Sequence, residues 1–561
     1  MYRIAPFFLV LFGYLMLLSA CESRQAPPPV IASFSAQIDA IDPTSTEFPG
    51  GRDADQLLVY TPAFGERTGT NIYGIEAVVV EGIVSTVGGN DQPIPRNGFV
   101  ISGHGKASRW ISAHLSPGIS VQVRDSLLLA SLTVESRLKE AANLIQRSRA
   151  WLDTLDRNAA NISQEALDFY QKRAIEYTIA ARRAYEKGDS DHSIVFADSA
   201  VHHARAFFYH SFPARDREVR AVWLAMQEKT AAELRETIRA VAQAGFNTLC
   251  PQVIFGGYAI YPNAHPDLKQ NPQFAGRDPM AELVALCKEF DLELIPWVWV
   301  YFVGINESPL ITSKSAWLGK SRKGAYASEM EVGYHFFCPS RPEVREFWLE
   351  VYRHLLSSYA FDGMQVDYIR YPVSEPYEAG FCYCDHCRSS FSALHGADPM
   401  ALDPARDTAL WAQWDAWRTA HVSGFVAQVH ELLTREAPGV RLSADIFPDV
   451  EVTLKSKMQD WGDWLRQGHM DDIYTMTYTA DLEEVKKTSR YLMERIGAGQ
   501  RGIVGLAPYM GLKPELLLEE VLLAQQAGAD GLCFFHFGSF EPEHLRALRM
   551  GPFRIPAQPG Q

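Results

Sequence analysis

Apolar and polar positions change their rhythm several times along the chain. From residue 217 onward, short apolar runs alternate with amphipathic stretches. Eight runs read as strands: 219–225, 247–253, 292–300, 362–368, 440–447, 472–478, 502–507 and 530–537. Most follow a helical segment that closes on a glycine, such as Ala240-Val241-Ala242-Gln243-Ala244-Gly245. Such strand–helix units over residues 217–545 predict an α/β region closed as a (β/α)8 TIM barrel. An open doubly wound sheet is the rival, but no Gly-x-Gly-x-x-Gly loop follows the first strand. Residues 131–210 place Leu167, Tyr170, Ala174, Tyr177, Ala181 and Ala184 at helical spacing. Ser163 can cap that helix and Gly188 can end it. Similar stretches near 134–153 and 190–209 complete a helical connector. Residues 54–127 instead carry short apolar runs cut by Gly, Asn and Pro, which predicts a small all-β module. Residues 1–20 hold an apolar run from Ile4 to Leu18 behind Arg3, short for a membrane span and shaped like a signal peptide.

Length and charge narrow the function classes. At 561 residues the chain needs more than one core. A net charge of −14 argues against nucleic-acid partners and against an anionic membrane face, both of which call for a basic surface. Aromatic side chains make up 12% of the chain, which suits a sugar-binding cleft and suits a large barrel core equally well. The leading apolar run closes on Leu18-Ser19-Ala20-Cys21, which resembles the lipobox of bacterial lipoproteins. That resemblance implies lipidation of Cys21 after cleavage, and Glu22 beside it implies the outer membrane in a Gram-negative cell. Membrane contact would then run through the N-terminal lipid only, and residues 21–53, with Pro27-Pro28-Pro29, would serve as linker. An uncleaved anchor and a plain secretion signal are the rival readings.

Barrel enzymes carry their chemistry at the C-terminal ends of the strands, and alternation says which side chains point inward. In the fourth strand Gly363, Gln365 and Asp367 share a face opposite apolar Met364 and Val366, so Asp367 points into the mouth. In the fifth, Asp445 follows Arg441 and Ser443 on the inward face. Trp297, Trp299 and Tyr301 alternate along the third strand; Tyr371, Tyr478, Tyr509 and His536 lie near the ends of the fourth, sixth, seventh and eighth. Paired carboxylates ringed by aromatic residues suit glycosidic cleavage: one acid protonates the leaving oxygen, and a carboxylate attacks the anomeric carbon or activates water. Arg370, three residues past Asp367, is the candidate for holding that carboxylate in place. A buried ion pair is the competing reading for an inward Asp beside an Arg.

Several motifs resemble the glycosyl-hydrolase-like family ten barrel. They are Arg220-Ala221-Val222-Trp223-Leu224, Gly245-Phe246-Asn247-Thr248 with Gln252-Val253, Trp297-Val298-Trp299, and above all Asp362-Gly363-Met364-Gln365-Val366-Asp367-Tyr368-Ile369-Arg370-Tyr371-Pro372. Members of that family include exported lipoproteins, one of which cleaves peptidoglycan glycan strands stripped of their stem peptides. The resemblance implies a glycosidase acting on a cell-envelope or extracellular polysaccharide. It makes Asp367 the principal acid and Gln252 a sugar contact, and it leaves the partner open among Asp445, Asp460 and Glu307. A non-catalytic glycan-binding lipoprotein on the same barrel, and a lyase or transglycosidase, remain alternatives. In the β-module, Gly98-Phe99-Val100-Ile101-Ser102-Gly103-His104-Gly105 resembles a fragment of the phosphodiester-glycosidase fold, too short for a full active site, so His104 reads as structural.

Cysteines supply one further site. Cys382, Cys384 and Cys387 form a tight knuckle after the fourth strand, and Cys338 lies upstream. Four thiolates can close a tetrahedral structural Zn2+ site with no open position for catalysis; two disulfides are the alternative in an oxidising compartment. The pattern resembles the structural zinc site of family forty-two β-galactosidases, whose Asn-Glu pair is absent here because Tyr368-Ile369 follows Asp367. No cofactor is expected for catalysis. Cys250, Cys287 and Cys533 read as buried thiols.

Overall fold

A computed structural model describes residues 30–44, 52–71, 74–155, 161–306, 308–374 and 380–559. Cys21 and the export segment lie outside the described residues. Among the described residues, no helix is long and apolar enough to cross a membrane.

Eight parallel strands close into a barrel: Val219–Leu224, Thr248–Phe255, Trp297–Trp299, Gly363–Asp367, Arg441–Ile446, Asp472–Met476, Arg501–Leu506 and Gly531–Phe534. Closure is direct, because the first strand pairs in parallel with both the second and the eighth. Period-two alternation divides the wall into two apolar populations. Met364, Val366, Leu442 and Ala444 join the large core beneath the surrounding helices. Val219, Ala221, Trp223, Ile295, Trp297, Tyr474 and Ile503 fill the barrel as a separate inner cluster.

The N-terminal sheet orders its strands Val30–Gln37, Leu127–Thr133, Ser120–Arg124, Ile83–Val87, Ile75–Val80, Gly98–Gly103, Leu57–Tyr60 and Ala40–Ile41. Two boundaries differ from the sequence expectation. Residues 30–41, expected within the linker, are strands at the two edges of this sheet. The module also extends past residue 127 to Thr133, where its last strand pairs with the first. Alternation in Ile31–Ala36 is muted by half-buried positions, which is why it reads as spacer. The module is not wholly strand, since Gly105–His114 forms a helix that buries Ala107, Ser108 and Ile111.

Three helices, Val134–Leu152, Gln164–Glu186 and Ser190–His210, form the connector. Thr133 caps the first by accepting from the Ser136 N–H, and Ser163 caps the second by accepting from the Ala166 N–H. Gly188 follows the second helix with φ of 76°, a left-handed turn suited to glycine.

Candidate active site

The sequence Gly363-Met364-Gln365-Val366-Asp367 is a fully buried strand whose odd positions face the barrel axis. Its last residue, Asp367, is 7% exposed. One carboxylate oxygen accepts the Trp297 indole N–H at 3.1 Å, and the other accepts the Tyr368 backbone N–H at 2.6 Å. Tyr368 takes a left-handed backbone with φ of 50°, which costs a non-glycine residue roughly 1–3 kcal/mol. Beneath Asp367, Gln365 accepts the Trp223 indole N–H at 2.8 Å.

On the adjoining strand, Asp445 is buried in a drier setting. Its Oδ1 has no hydrogen-bond partner. The two acids therefore differ in chemistry. Burial pushes Asp367 up to about 6, while the Tyr368 N–H, the Arg370 charge and the Trp297 N–H pull against it. Burial pushes Asp445 well above the usual carboxylate range, and the neighbouring Asp367 charge adds to that rise. The pair is therefore unequal, with Asp367 giving up its proton more readily than Asp445.

Residues 218–496 match the model of the family Glycosyl hydrolase-like 10. This stretch belongs to that family. The barrel is thus a glycoside-hydrolase-like, carbohydrate-active module. Solved structures similar to the chain include the PgaB (BpsB) glycoside hydrolase domain from Bordetella bronchiseptica, at 14% identity and a TM-score of 0.49, covering 59% of this chain and 98% of that one. The catalytic domain of β-amylase from Paenibacillus polymyxa follows at 12% identity and a TM-score of 0.44, covering 59% and 95%. The spore cortex-lytic enzyme SleL from Bacillus cereus shows 11% identity and a TM-score of 0.38, covering 62% and 77%. No curated protein sequence matches the chain.

Aromatic side chains wall the mouth of the glycosyl hydrolase-like barrel. Phe535 packs edge-on against Trp297 at 6.1 Å, Trp223 at 5.9 Å and Tyr509 at 5.8 Å, and lies tilted against Tyr478 at 5.5 Å. Trp299 contacts Trp297 and Tyr368. Gln252 is buried in the second strand in register with Trp297. His536 follows Phe535, and its Nδ1 accepts the Gly538 N–H at 3.1 Å, so that nitrogen is engaged in capping. Phe535, Trp223 and Gln365 join this constellation without having been singled out as site residues from the sequence. Inward alternation marks Trp223 and Gln365, whereas Phe535 sits in a run of apolar and aromatic residues that gives no such sign.

Three expectations need correction. Tyr301 does not face the mouth. Regular third-strand pairing stops at Trp299, and the Tyr301 ring is fully buried against Phe425 of the helix Thr408–Glu436. Tyr371 likewise turns away: it is buried, and the ionisable groups that act on it most strongly are the thiols of Cys338, Cys387 and Cys382, with Asp367 not among them. Arg370 makes no hydrogen bond to Asp367. Its guanidinium grips Glu331 in a fork, at 2.7 and 3.2 Å, and also donates to the Tyr371 carbonyl. Glu331 comes from the long loop after the third strand and also accepts the Val373 N–H at 2.8 Å. No periodicity marks this acid in the sequence. Arg370 thus acts on Asp367 through charge. Of the alternative partner acids, Asp460 caps the helix Trp461–Arg466 by accepting the Asp463 N–H, and Glu307 lies outside the described residues.

In the β-module, His104 is buried, and burial lowers it to about 4. The thiols of Cys338, Cys382, Cys384 and Cys387 gather with all four sulfurs within 4.8 Å of one another. Individual separations are 3.3 Å for Cys338–Cys387, 3.6 Å for Cys384–Cys387 and 3.8 Å for Cys338–Cys384. No disulfide joins them, since a bonded pair would stand about 2.05 Å apart. The buried cluster can hold a metal ion.

Proposed function

We propose that this protein is a glycoside hydrolase of a cell-envelope or extracellular polysaccharide. The observation that carries this reading is the unequal acid pair at the C-terminal ends of adjoining strands. Asp445, protonated and with a free oxygen, serves as the acid that protonates the glycosidic oxygen. Asp367, ionised and held by two N–H donors, supplies the carboxylate that attacks the anomeric carbon or activates water. Aromatic rings at the mouth provide stacking faces for sugar rings. The family resemblance favours peptidoglycan strands freed of stem peptides as substrate. The test is product analysis after incubating the purified protein with a glycan panel that includes such strands. New reducing ends with wild type and none with Asp367→Asn support the reading; no cleavage of any polysaccharide overturns it.

Two features complete the proposal. Cys21 receives the lipid that anchors the chain in the envelope, supported by Leu18-Ser19-Ala20-Cys21; an unmodified Cys21 thiol in the mature protein would refute it. The four-thiol cluster holds one structural Zn2+. Tetrahedral ligands at the usual Zn–S length of about 2.3 Å stand about 3.8 Å apart, close to the separations of 3.3–3.8 Å found here. Such an ion would pin the segment after the fourth strand, and Tyr371 with it. Elemental analysis is expected to give one zinc per chain.

A further inference from the structure

The β-module sits on the same face of the barrel as the acid pair. The Gly89 N–H donates to the Ala480 carbonyl at 3.0 Å, and the Lys513 ammonium donates to the Leu115 carbonyl. Ala480 follows the sixth barrel strand and Lys513 the seventh, so both contacts fall on the loops at the C-terminal ends of the strands. Between module, connector and barrel runs a groove of about 1140 Å3. That exceeds the ~300–1,000 Å3 of a pocket for one small molecule.

Tyr509 joins this groove to the acid pair. It lines the groove and is 51% exposed. Its ring also packs against Phe535, which packs against Trp297, whose N–H is bonded to Asp367. Several charged residues of the groove wall bond to each other. Arg147 pairs with Glu519 at 2.6 Å, and Arg205 pairs with Glu140 and Glu515, each at 2.7 Å. The bridges to Glu519 and Glu515 join the connector to the barrel, and the one to Glu140 ties two connector helices together. The wall also presents Ser112, Asn143 and the half-exposed ring of Tyr509, beside apolar stretches that include Pro117, Leu482 and Leu516. Such a mixed lining suits sugar units, which offer many hydroxyls and a flat apolar face.

We propose that this groove binds the sugars of the polysaccharide that flank the bond being cleaved, so that the β-module is a built-in part of the substrate cleft. The inference rests on the glycosidase reading above. Remote sugars seated in the groove supply binding energy that the reacting sugars cannot, so kcat/KM rises with chain length.

The test uses full-length protein and denuded peptidoglycan strands fractionated by length, or the polysaccharide found by the panel if that differs. Ala113→Trp fills the groove from the module's helix, at a position that is exposed and remote from the acids. Ala113→Phe fills it less fully from the same position should the first variant fail to fold. Wild type is expected to gain about tenfold or more in kcat/KM from the shortest cleavable fragment to long strands. The filled variant should lose that gain while cleaving the shortest fragment at the wild-type rate. A wild type with no length dependence, or a folded filled variant that keeps it, overturns the inference and leaves the glycosidase reading intact. If wild type cleaves no polysaccharide at all, the glycosidase reading fails and the inference falls with it.

Discussion

The two ends of the barrel treat buried carboxylates in opposite ways. At the N-terminal end, Asp472 is fully buried and accepts from Arg501 at 2.7 and 2.9 Å and from Arg441 at 3.1 Å. Nearby, Glu218 and Arg220 are paired at 3.1 Å, both side chains fully enclosed. At the C-terminal end, Asp445 keeps an oxygen with no partner, and Asp367 is held by neutral N–H donors while the nearby Arg370 is committed to Glu331. A buried charge costs several kcal/mol unless it is matched. The matched end therefore serves folding. The unmatched end keeps protons at unusual affinities, which is the condition for acid–base work.

The largest expected effect comes from breaking the unmatched end. Asp367→Asn should lower turnover on a confirmed substrate by roughly 10³-fold or more, because it removes charge that the transition state needs. The fold should survive. The folded-state pKa of Asp367 is raised, so its ionised form costs stability that grows as pH rises from the unfolded value through about 6. A neutral Asn relieves that cost, and thermal stability at pH 7 should hold or rise. A large loss of stability in Asp367→Asn would place this acid with the structural set.

Breaking the matched end should do the reverse. Asp472→Asn leaves Arg501 and Arg441 facing a neutral amide at the barrel floor. Removing one partner of such a buried group costs about 3–5 kcal/mol, with Arg441 partly relieved by its exposure. Denaturant unfolding would register that loss. Turnover per folded molecule should stay near wild type, since the substitution lies at the opposite end from the chemistry. Lost turnover with unchanged stability would undo the contrast.

The barrel was legible because period-two alternation and glycine-ended helices repeat. The same alternation placed Asp367 and Asp445 on the inward face. It failed where strand geometry ends. Tyr301 lies two residues beyond the last regular pair of the third strand, so extending the alternation put it on the wrong side. Arg370 was assigned to Asp367 by proximity in sequence, but its partner Glu331 arrives from a loop with no periodicity to announce it. The groove beside the β-module was illegible for a different reason. It is built from three regions that meet only through tertiary contacts, such as Gly89 with Ala480, and no local pattern encodes that meeting.

Asp445→Asn should have a smaller effect than Asp367→Asn, and one that depends on the leaving group. With natural glycosides, loss of the proton donor should cost about 10²-fold or more. With an aryl glycoside whose leaving group departs without protonation, the cost should shrink toward nothing. The alkaline limb of the pH–rate profile, set by an acid held well above the usual range, should disappear in the variant. An equal loss on both substrates would deny Asp445 the role of acid.

The smallest effect sharpens the comparison, because it asks what keeps Asp367 from being matched. Arg370 is the one cation among the groups that pull Asp367 down, yet its fork is occupied by Glu331. Burial favours the neutral form of Glu331, but the Arg370 charge and its hydrogen bonds outweigh that and lower the Glu331 pKa. The Glu331 charge in turn raises Asp367 slightly. Glu331→Gln removes that negative charge and leaves the positive field of Arg370 uncompensated. Both changes favour the ionised form of Asp367, so its pKa should fall. The acid limb of the kcat/KM profile, expected near 6 in wild type from the Asp367 carboxyl, should therefore move to lower pH while the alkaline limb set by Asp445 stays nearly in place. A loop that merely lost its latch would lower activity at every pH without moving the midpoint. An acid limb that stays put or moves upward would show that Glu331 holds the loop and does not tune the carboxylate.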